Sequence, residues 1–382
     1  MNLGSQRHLF EIPDEVAYLN CAYMSPQLRR AREIGGWSVT RKSRPWEITP
    51  DDFFEDVEAV RGLFARLVGG DAEGVAVVPS VSYGISVAAA NVPVGEGEKI
   101  IILEDQFPSN VYSWRELASQ KGAKLVTVPR PEDADWTDAL LAEIDEHTAV
   151  VAAPNCHWTD GSLVDLVRVG KRVREVGAAL VIDGIQSIGA MPFDVSEVRP
   201  DFLIAASYKW LLGPYGVGFM YVDEKHREGR PIEHNWVNRH KSEAFTQLVD
   251  YQDAFQPGAR RYDVGERSNF VLLPMAAEAL RQLLDWGIGN VCETIGTLTD
   301  VIEREAEERG IATTPRDRRA RHLIGLMLGP DAPDDLAARL MRHGVFVSVR
   351  GPSVRISPHL YNTEEDIERF FDVLEQIADQ GA

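Results

Sequence analysis

The chain has 382 residues, of which 44% are apolar and 26% charged, and its formal net charge is −19 at pH 7. This length suffices for two domains, because a single hydrophobic core seldom grows beyond ~250–300 residues. The negative charge argues against a nucleic-acid or anionic-membrane partner, and the apolar runs are much shorter than the ~20 residues that cross a bilayer.

The N-terminal segment and the cysteines bear on the compartment. Residues 1–15 lack the apolar core of a signal peptide. Cys21, Cys156 and Cys292 form neither a CxxC pattern nor an even disulfide framework. We therefore expect a reducing, cytoplasmic location, and we predict no metal site.

An alternation of helical and apolar segments begins near residue 52. "DFFEDVEAVRGLFARLVGG" has helical periodicity, and seven short apolar runs follow it. Helical segments between the runs predict an α/β fold with a mostly parallel, seven-stranded sheet between helices. The seventh run follows the sixth without room for a crossover helix, so we expect it to be antiparallel. The runs are "GVAVVPS", "EKIIILED", "AKLVTVP", "TAVVAAPN", "AALVIDG", "DFLIAAS" and "GVGFMYVD".

The C-terminal third predicts a smaller α+β domain. Residues 223–262 read as a long loop-rich connection, and helical segments follow from about 272 to 309. Strands and helices then alternate, and Thr363 and Asp366 have the spacing of a helix cap. We expect a large domain over 16–260 and a small domain made of 1–15 and 261–382.

In an open parallel sheet, ligands bind at the carboxyl ends of the strands. After the first strand, "SVSYGIS" opens a helix, which suits a phosphate held by backbone N–H groups and Ser82, or is a plain helix cap. Later strands are followed by Phe107, by Asp183 with Gln186, and by Lys209 in "SYKWLLGPYGVGF". Taken singly, these residues also fit a core aromatic, a turn-capping acid and a surface lysine.

The combination of a phosphate cradle, an acid and a lysine is what pyridoxal phosphate requires. The lysine forms a Schiff base, and desolvation lowers its pKa so that it can act as a nucleophile. The acid keeps the pyridine nitrogen protonated, and the helix N-terminus holds the phosphate. In this setting Lys209 and Asp183 are candidate catalytic residues.

"VIDGIQSIGAMPFDV" and "SYKWLLGPYGVGF" resemble the class V aminotransferase family of fold-type-I pyridoxal-phosphate enzymes. This family includes cysteine desulfurases, kynureninases and isopenicillin-N-epimerase-like proteins. The resemblance extends from "AYLNCAYMSP" to "VRISPHLYNTEEDI". It implies pyridoxal 5'-phosphate as cofactor, an amino acid or amine as substrate, and a homodimer with shared active sites.

The resemblance also implies residue roles at the cofactor. Lys209 matches the Schiff-base lysine, Asp183 the partner of the pyridine nitrogen and Gln186 a residue near the phenolic oxygen. Val81 and Ser82 match the phosphate-binding positions.

Four further residues match the family at the edges of the site. Phe107 replaces the usual histidine that stacks on the ring, and Tyr208 replaces a histidine before the lysine, as in kynureninases. Trp236 resembles a kynureninase tryptophan that reaches the phosphate of the partner subunit. Arg355 matches the arginine that binds the substrate α-carboxylate, which its bidentate fork suits.

The chain departs from the family in three segments. "VFVSVRGPSVRIS" lacks the nucleophilic cysteine of desulfurases, so desulfuration is not expected. "GERSN" replaces a "GTP"-like element, in which Gly265 fits while Glu266 and Arg267 have no assigned role. His157 and Asp160, in the segment that lines the other side of the ring, are also unassigned.

We expect transamination of an α-amino acid through an external aldimine. A kynureninase-like C–C hydrolase, favoured by Tyr208, Phe107 and Trp236, is the main alternative, and an epimerase-like racemase the next. A non-catalytic pyridoxal-phosphate-binding protein is the alternative from another class, and the set of Asp183, Lys209 and Arg355 argues against it. A nucleotide-binding Rossmann protein is disfavoured because no GxGxxG follows an early strand.

Overall fold

The structure is a computed structural model that describes residues 2–329 and 332–379. Its strands are β1 (Ala17–Tyr18), β2 (Val75–Val78), β3 (Lys99–Leu103), β4 (Lys124–Val128), β5 (Thr148–Pro154), β6 (Ala179–Asp183), β7 (Phe202–Ala206), β8 (Gly218–Val222), β9 (Ala312–Thr313), β10 (Ile324–Met327), β11 (Val345–Phe346), β12 (Ser348–Arg350) and β13 (Ser353–Ile356). Its α-helices are α1 (Arg29–Lys42), α2 (Glu55–Leu67), α3 (Val81–Asn91), α4 (Tyr112–Lys121), α5 (Trp136–Glu143), α6 (Leu166–Glu175), α7 (Val195–Val198), α8 (Leu272–Trp286), α9 (Ile288–Glu308), α10 (Leu336–Arg342) and α11 (Glu364–Asp379).

The seven predicted apolar runs form one seven-stranded sheet, in the order β2-β8-β7-β6-β5-β3-β4. The pairs from β7 to β4 are parallel, whereas β8 runs antiparallel to both of its neighbours, β2 and β7. The predicted α/β fold class and the antiparallel seventh strand are therefore confirmed.

Both faces of this sheet are covered, which explains why its strands read as continuous apolar runs. Along β3, Ile100 and Ile102 pack into one hydrophobic core, while Ile101 and Leu103 pack into the core on the opposite face. Helices α3 and α4 contribute to the first core, and α2, α6 and α8 to the second.

A smaller antiparallel sheet, in the order β12-β13-β10-β9, packs with α9, α10 and α11 around a third core. Strand β1 pairs in parallel with β11, Ala17 opposite Val345, and Leu19 is buried in the same core. The N-terminal segment thereby runs between this core and the edge of the large sheet. The boundary near residue 260 stays a prediction.

The predicted connection and the final helix are present. Between β8 and α8, the described chain is made of turns and short 3₁₀ segments. Helix α11 begins after Thr363, whose backbone N–H donates to Asp366 Oδ2 at 3.3 Å. Within 2–329 and 332–379, no helix is both long and apolar enough to cross a membrane.

Candidate active site

Two adjacent strand ends carry the central pair of the site. Asp183 is the last residue of β6, and Lys209 follows the end of β7 at Ala206. The strands are parallel, with Asp183 opposite Ile204, so both side chains emerge at the same edge of the sheet. Only 4% of Asp183 and 6% of Lys209 is exposed.

Burial shifts the pKa of each group in this pair in the direction that favours its neutral form. Desolvation lowers the pKa of the Lys209 amine, the positive charge of Arg355 lowers it further, and Asp183 partly opposes the shift. Desolvation raises the pKa of Asp183, against the Ile185 backbone N–H that donates to it at 3.1 Å and the charge of Lys209. A lysine with a lowered pKa supplies the free amine that nucleophilic attack needs.

Two aromatic rings flank the Lys209 amine. The centroids of the Phe107 and Tyr208 rings each lie 5.6 Å from Lys209 Nζ. Burial raises the pKa of the Tyr208 hydroxyl to about 12. Trp158 packs edge-on against Phe107, with the ring centroids 5.4 Å apart. The structure therefore brings Phe107 and Tyr208, both predicted from the sequence, to the lysine.

Arg355 approaches the pair from the small sheet. It lies on β13 and is 1% exposed, and its Nη1 donates to the Trp158 carbonyl oxygen at 2.8 Å. Its Nε is buried without a hydrogen-bond partner in the part of the chain that the structure describes. Burial, and next the charge of Arg350, lower the pKa of Arg355 to about 9. The guanidinium thus keeps donor capacity for an anion, as a carboxylate-binding arginine requires.

Gln186 ties the lysine segment to the N-terminal segment. Its Oε1 accepts from Trp210 Nε1 at 3.0 Å, and its Nε2 donates to the Ala22 carbonyl oxygen at 3.1 Å. The Ser25 backbone N–H also donates to the Tyr208 carbonyl oxygen, at 2.9 Å. Gln186 is thus held by Trp210, the residue after Lys209, and by Ala22, and its second amide hydrogen can donate to another acceptor.

The phosphate-binding residues expected from the sequence lie at the N-terminus of α3, which packs beside β6 and β7. Ser80 is the helix cap, because its hydroxyl accepts from the Tyr83 backbone N–H at 3.2 Å. Val81 and Ser82 occupy the first turn, where backbone N–H groups lack partners within the helix. Ser80 is thus the capping residue, and the hydroxyl oxygen of Ser82 lies 2.9 Å from the hydroxyl oxygen of Ser80.

Trp236 lies apart from this group. It packs among aromatic rings, with centroids 6.0 Å from Phe53 and 5.5 Å from Phe245, and is 43% exposed. Its expected reach toward the phosphate of a partner subunit stays a prediction.

The "GERSN" segment is fastened to the large domain by buried charges. Glu266 is exposed and has a left-handed backbone with φ 57°. Arg267 is buried and pairs with Asp263, which also pairs with Arg61 at 2.8 Å and accepts from the Val77 backbone N–H at 2.7 Å. Within one subunit, Arg267 thus serves as a structural cation.

His157 and Asp160 hold a loop instead of facing Lys209. Asp160 pairs with Arg130 at 2.5 Å, and the His157 ring stacks on Trp136 with centroids 5.2 Å apart. The residue of this loop that reaches Phe107 is Trp158. Sequence reasoning missed it, although an aromatic residue beside the noted histidine was a usable signal.

Cys21 is a second missed residue. It is fully buried, and burial raises its pKa to about 12, against the Tyr361 hydroxyl and the charges of Lys209 and Arg355. The thiol therefore lies beside the site in its protonated form. The segment "AYLNCAYMSP", noted only for its resemblance, was the available signal.

The chain is similar in sequence to a known family and to several known proteins. The family model for class V aminotransferases matches residues 50–370. An uncharacterized aminotransferase of Bacillus subtilis is 25% identical over 88% of this chain and 86% of its own length. An isopenicillin N epimerase of Streptomyces clavuligerus is 25% identical over 95% of both chains, and a kynureninase of Shouchella clausii 27% over 90% of this chain and 81% of its own.

Solved structures share the fold. The apo cysteine desulfurase of Thermococcus onnurineus superposes with a TM-score of 0.85 at 20% identity, covering 100% of both chains. A cystine C–S lyase in complex with cysteine persulfide gives a TM-score of 0.86 at 16% identity, covering 94% of this chain and 97% of the other. Both are fold-type-I enzymes.

The residues at the strand ends fit the cofactor of that family, pyridoxal phosphate. The buried Lys209 amine suits its aldehyde, the buried Asp183 carboxylate suits its pyridine nitrogen, and the first turn of α3 suits its phosphate. When bound, the cofactor supplies an electron-accepting ring. Because the family model spans most of the chain, the protein belongs to the class V aminotransferase family of pyridoxal-phosphate-dependent enzymes.

Proposed function

We propose that this enzyme transaminates an α-amino acid. The observation that carries the proposal is the buried Lys209 amine, held at one edge of the sheet with Asp183 and within the field of Arg355. An amine, an acid and a carboxylate-binding guanidinium converge there, as removal of the α-hydrogen of an amino acid requires.

Each residue has a definite task in this reaction. Arg355 binds the α-carboxylate. Lys209, once its amine is free, takes the proton from Cα and then donates it to an atom other than Cα. The amino acid leaves as a 2-oxo acid whose new oxygen comes from water. When bound, the cofactor would supply the acceptor for its amine and two electrons, which a second 2-oxo acid would then take up. Asp183 holds the proton on the ring nitrogen throughout.

The turn between β12 and β13 argues against desulfuration. This turn and its flanking strands, 348–356, contain no cysteine. Cys21 and Cys156 are buried, and burial raises the pKa of each thiol, so neither is a ready nucleophile.

A kynureninase-like C–C hydrolase is the second candidate. Phe107 and Tyr208, which flank Lys209, are the residues that match kynureninases in the sequence, and kynureninases of several bacilli are 27% identical to this chain. The isopenicillin N epimerase relative keeps racemisation as a third outcome. The flanking aromatics are compatible with all three.

A product screen tests these reactions. The holoenzyme is incubated with single amino acids, without an acceptor, while the cofactor spectrum, 2-oxo acid, released side-chain fragments and optical rotation are followed. Transamination predicts one equivalent of 2-oxo acid per site and an amine form of the cofactor. A released fragment or loss of optical rotation, without 2-oxo acid, would replace it with lysis or racemisation. No spectral change with any amino acid would favour a non-catalytic protein.

The proposal extends to assembly and location. We propose a homodimer with shared active sites, in which the half-exposed Trp236 faces the partner's phosphate. The free thiols of Cys21, Cys156 and Cys292 support a reducing cytoplasm, and the net charge of −19 supports a small-molecule role without nucleic acid or membrane. Sedimentation of the holoenzyme, alone and as Trp236→Ala, tests the dimer.

A further inference from the structure

A second arginine shares the face of the hairpin that carries Arg355. Strands β12 and β13 are antiparallel, with Ser348 opposite Arg355 and Arg350 opposite Ser353. Residues two apart on a strand, and residues opposite each other across a pair, point to the same side of a sheet. Arg350 and Arg355 therefore project from one face.

Trp158 lies between the two arginines and the cofactor residues. Arg355 Nη1 donates to its carbonyl oxygen at 2.8 Å, and the Arg350 guanidinium lies over its ring, 5.6 Å from the centroid. The Trp158 ring also donates from Nε1 to the Asp105 carbonyl oxygen at 2.6 Å and packs against Phe107, whose ring centroid lies 5.6 Å from Lys209 Nζ. A continuous wall thus runs from the reactive amine to Arg350.

The charges along this wall do not balance. Arg350 and Arg355 are cations, whereas Lys209 is compensated by Asp183 and burial disfavours the charge on both, so this pair adds no net charge. Cys21 is protonated. Arg350 Nη1 donates to the Val349 carbonyl oxygen at 2.8 Å, and within the described chain no carboxylate lies within 4.0 Å of either arginine.

A bound amino acid corrects only part of this excess. Its α-carboxylate would neutralise Arg355, while Asp183 would hold the ring nitrogen of the cofactor and the N-terminus of α3 would hold its phosphate. Arg350 is half-buried, so its charge is only partly screened by water. A second anion at the far end of the substrate would complete the pairing.

We propose that the substrate is an α-amino acid with an anionic side chain, such as a dicarboxylic amino acid, whose side-chain anion is bound by Arg350 over Trp158. This inference rests on the proposed amino-acid chemistry and narrows its substrate. An aromatic side chain fits less well, because Arg350 covers one face of the Trp158 ring and Phe107 already packs against that ring at a right angle.

The test compares each acidic amino acid with its neutral amide. The measured quantity is the ratio of kcat/KM for L-glutamate over L-glutamine, and for L-aspartate over L-asparagine. We expect at least one ratio to exceed ~10, and Arg350→Gln to lower it by roughly 10–200-fold, as loss of a charge-assisted pair predicts. Arg350→Lys should recover only part, because it cannot stack on Trp158. Arg342→Gln, an exposed arginine on α10, is the matched control and should leave the ratio unchanged.

Binding without turnover gives an independent readout. Glutarate and succinate should compete with the substrate more tightly than butyrate in the wild type and lose that advantage in Arg350→Gln. Equal turnover of acids and amides, or an equal loss for both in Arg350→Gln, would overturn the inference and leave the proposed function standing. If no amino acid changes the cofactor spectrum, the proposed function itself fails.

Discussion

Asp183 and Lys209 are brought together by strand pairing. Asp183 lies opposite Ile204, the middle residue of β7, and Lys209 follows the end of that strand. Backbone hydrogen bonds of the sheet therefore fix the acid and the amine at one edge. Burial at this edge lowers the pKa of the amine and raises the pKa of the acid, so the protein disfavours both charges until a ligand compensates them.

The first prediction concerns Lys209. Borohydride treatment of the holoenzyme should fix one cofactor per chain, and peptide mapping should find it on Lys209. Lys209→Ala should lower turnover by at least ~10²–10⁴-fold, the usual contribution of a general base. The exposed Lys121→Ala should behave as wild type. An adduct on another lysine would contradict the assignment.

The second prediction concerns Asp183. Asp183→Asn should retain the cofactor but lower turnover by roughly 10²–10⁴-fold, because an amide cannot hold the ring nitrogen protonated. Without cofactor, Asp183→Asn should be at least as stable as wild type at pH 7. The folded-state pKa of Asp183 is raised, so its contribution to stability is present below the unfolded pKa and is lost as pH rises through the folded pKa.

If Asp183→Asn turns over at the wild-type rate, Asp183 only caps a turn and has no catalytic role. Thermal unfolding of the apo and holo forms, measured side by side, supplies the stability readout. The asparagine variant should show the smaller stabilisation by cofactor. Equal stabilisation would mean that no contact with the cofactor depends on the carboxylate.

The seven-stranded sheet could be predicted from the sequence because its strands are buried on both faces and read as unbroken apolar runs. The strand-end rule then led to Lys209 and Asp183, since Asp183 ends one such run and Lys209 lies three residues after the end of the next. The same rule listed Phe107, but its role beside the lysine, and Arg355 altogether, required the family resemblance, because a single aromatic or arginine carries no periodic signal.

The Trp158 wall could not be predicted in this way. Trp158 lies in the loop after β5, whereas Arg350 and Arg355 lie in a hairpin much later in the chain, with Arg355 197 residues after Trp158. They meet because the loop packs against the hairpin. His157 attracted attention instead, yet its ring turns toward Trp136 while the next side chain turns toward Phe107. Side-chain direction in a loop depends on tertiary contacts that a pattern does not contain.

The third prediction uses the buried charges around Asp263. Asp263→Asn removes the counter-charge that Arg61 and Arg267 share, leaves Arg61 only its pair with Glu58 at 3.0 Å, and should cost about 3–5 kcal/mol of unfolding free energy. Arg267→Met should be close to neutral, because it keeps the Arg61–Asp263 pair and removes a guanidinium whose Nε and Nη2 are buried without partners. Urea unfolding of the apo protein measures both.

The Arg267→Met variant also tests the role of its segment. If Arg267 is structural only, the variant should bind cofactor with wild-type affinity. A large loss of cofactor affinity with unchanged apo stability would assign Arg267 to the cofactor instead.

The fourth prediction concerns two buried histidines that pack against Trp210. Desolvation lowers the pKa of His322 to about 4 and that of His359 to about 3, and neither ring nitrogen of His359 has a hydrogen-bond partner among the described residues. Both are neutral in the fold and protonated in the unfolded chain below about pH 6.5. Stability is therefore fully present above pH 6.5 and falls as pH decreases toward the folded values.

Replacing one of them should flatten this dependence. From pH 7.5 to 5.0, a single such histidine costs about 2 kcal/mol of unfolding free energy. His359→Leu should remove that share, whereas the exposed His8→Leu should not. Urea unfolding at both pH values is the measurement, and an undiminished pH dependence in His359→Leu would show that another group titrates.

The last prediction concerns Arg355. A charge-assisted bidentate pair contributes about 1.5–3 kcal/mol, so Arg355→Ala should lower kcat/KM for an α-amino acid by roughly 10–200-fold. Arg355→Lys should recover little, since a point charge cannot reproduce the fork. The cofactor absorbance should stay unchanged, because the Arg355 side chain donates to Trp158 and keeps its free Nε for the substrate. The decisive comparison is between an amino acid and the corresponding amine without the carboxylate. The amine should be insensitive to Arg355→Ala, and an equal loss on both would mean that Arg355 does not bind the α-carboxylate.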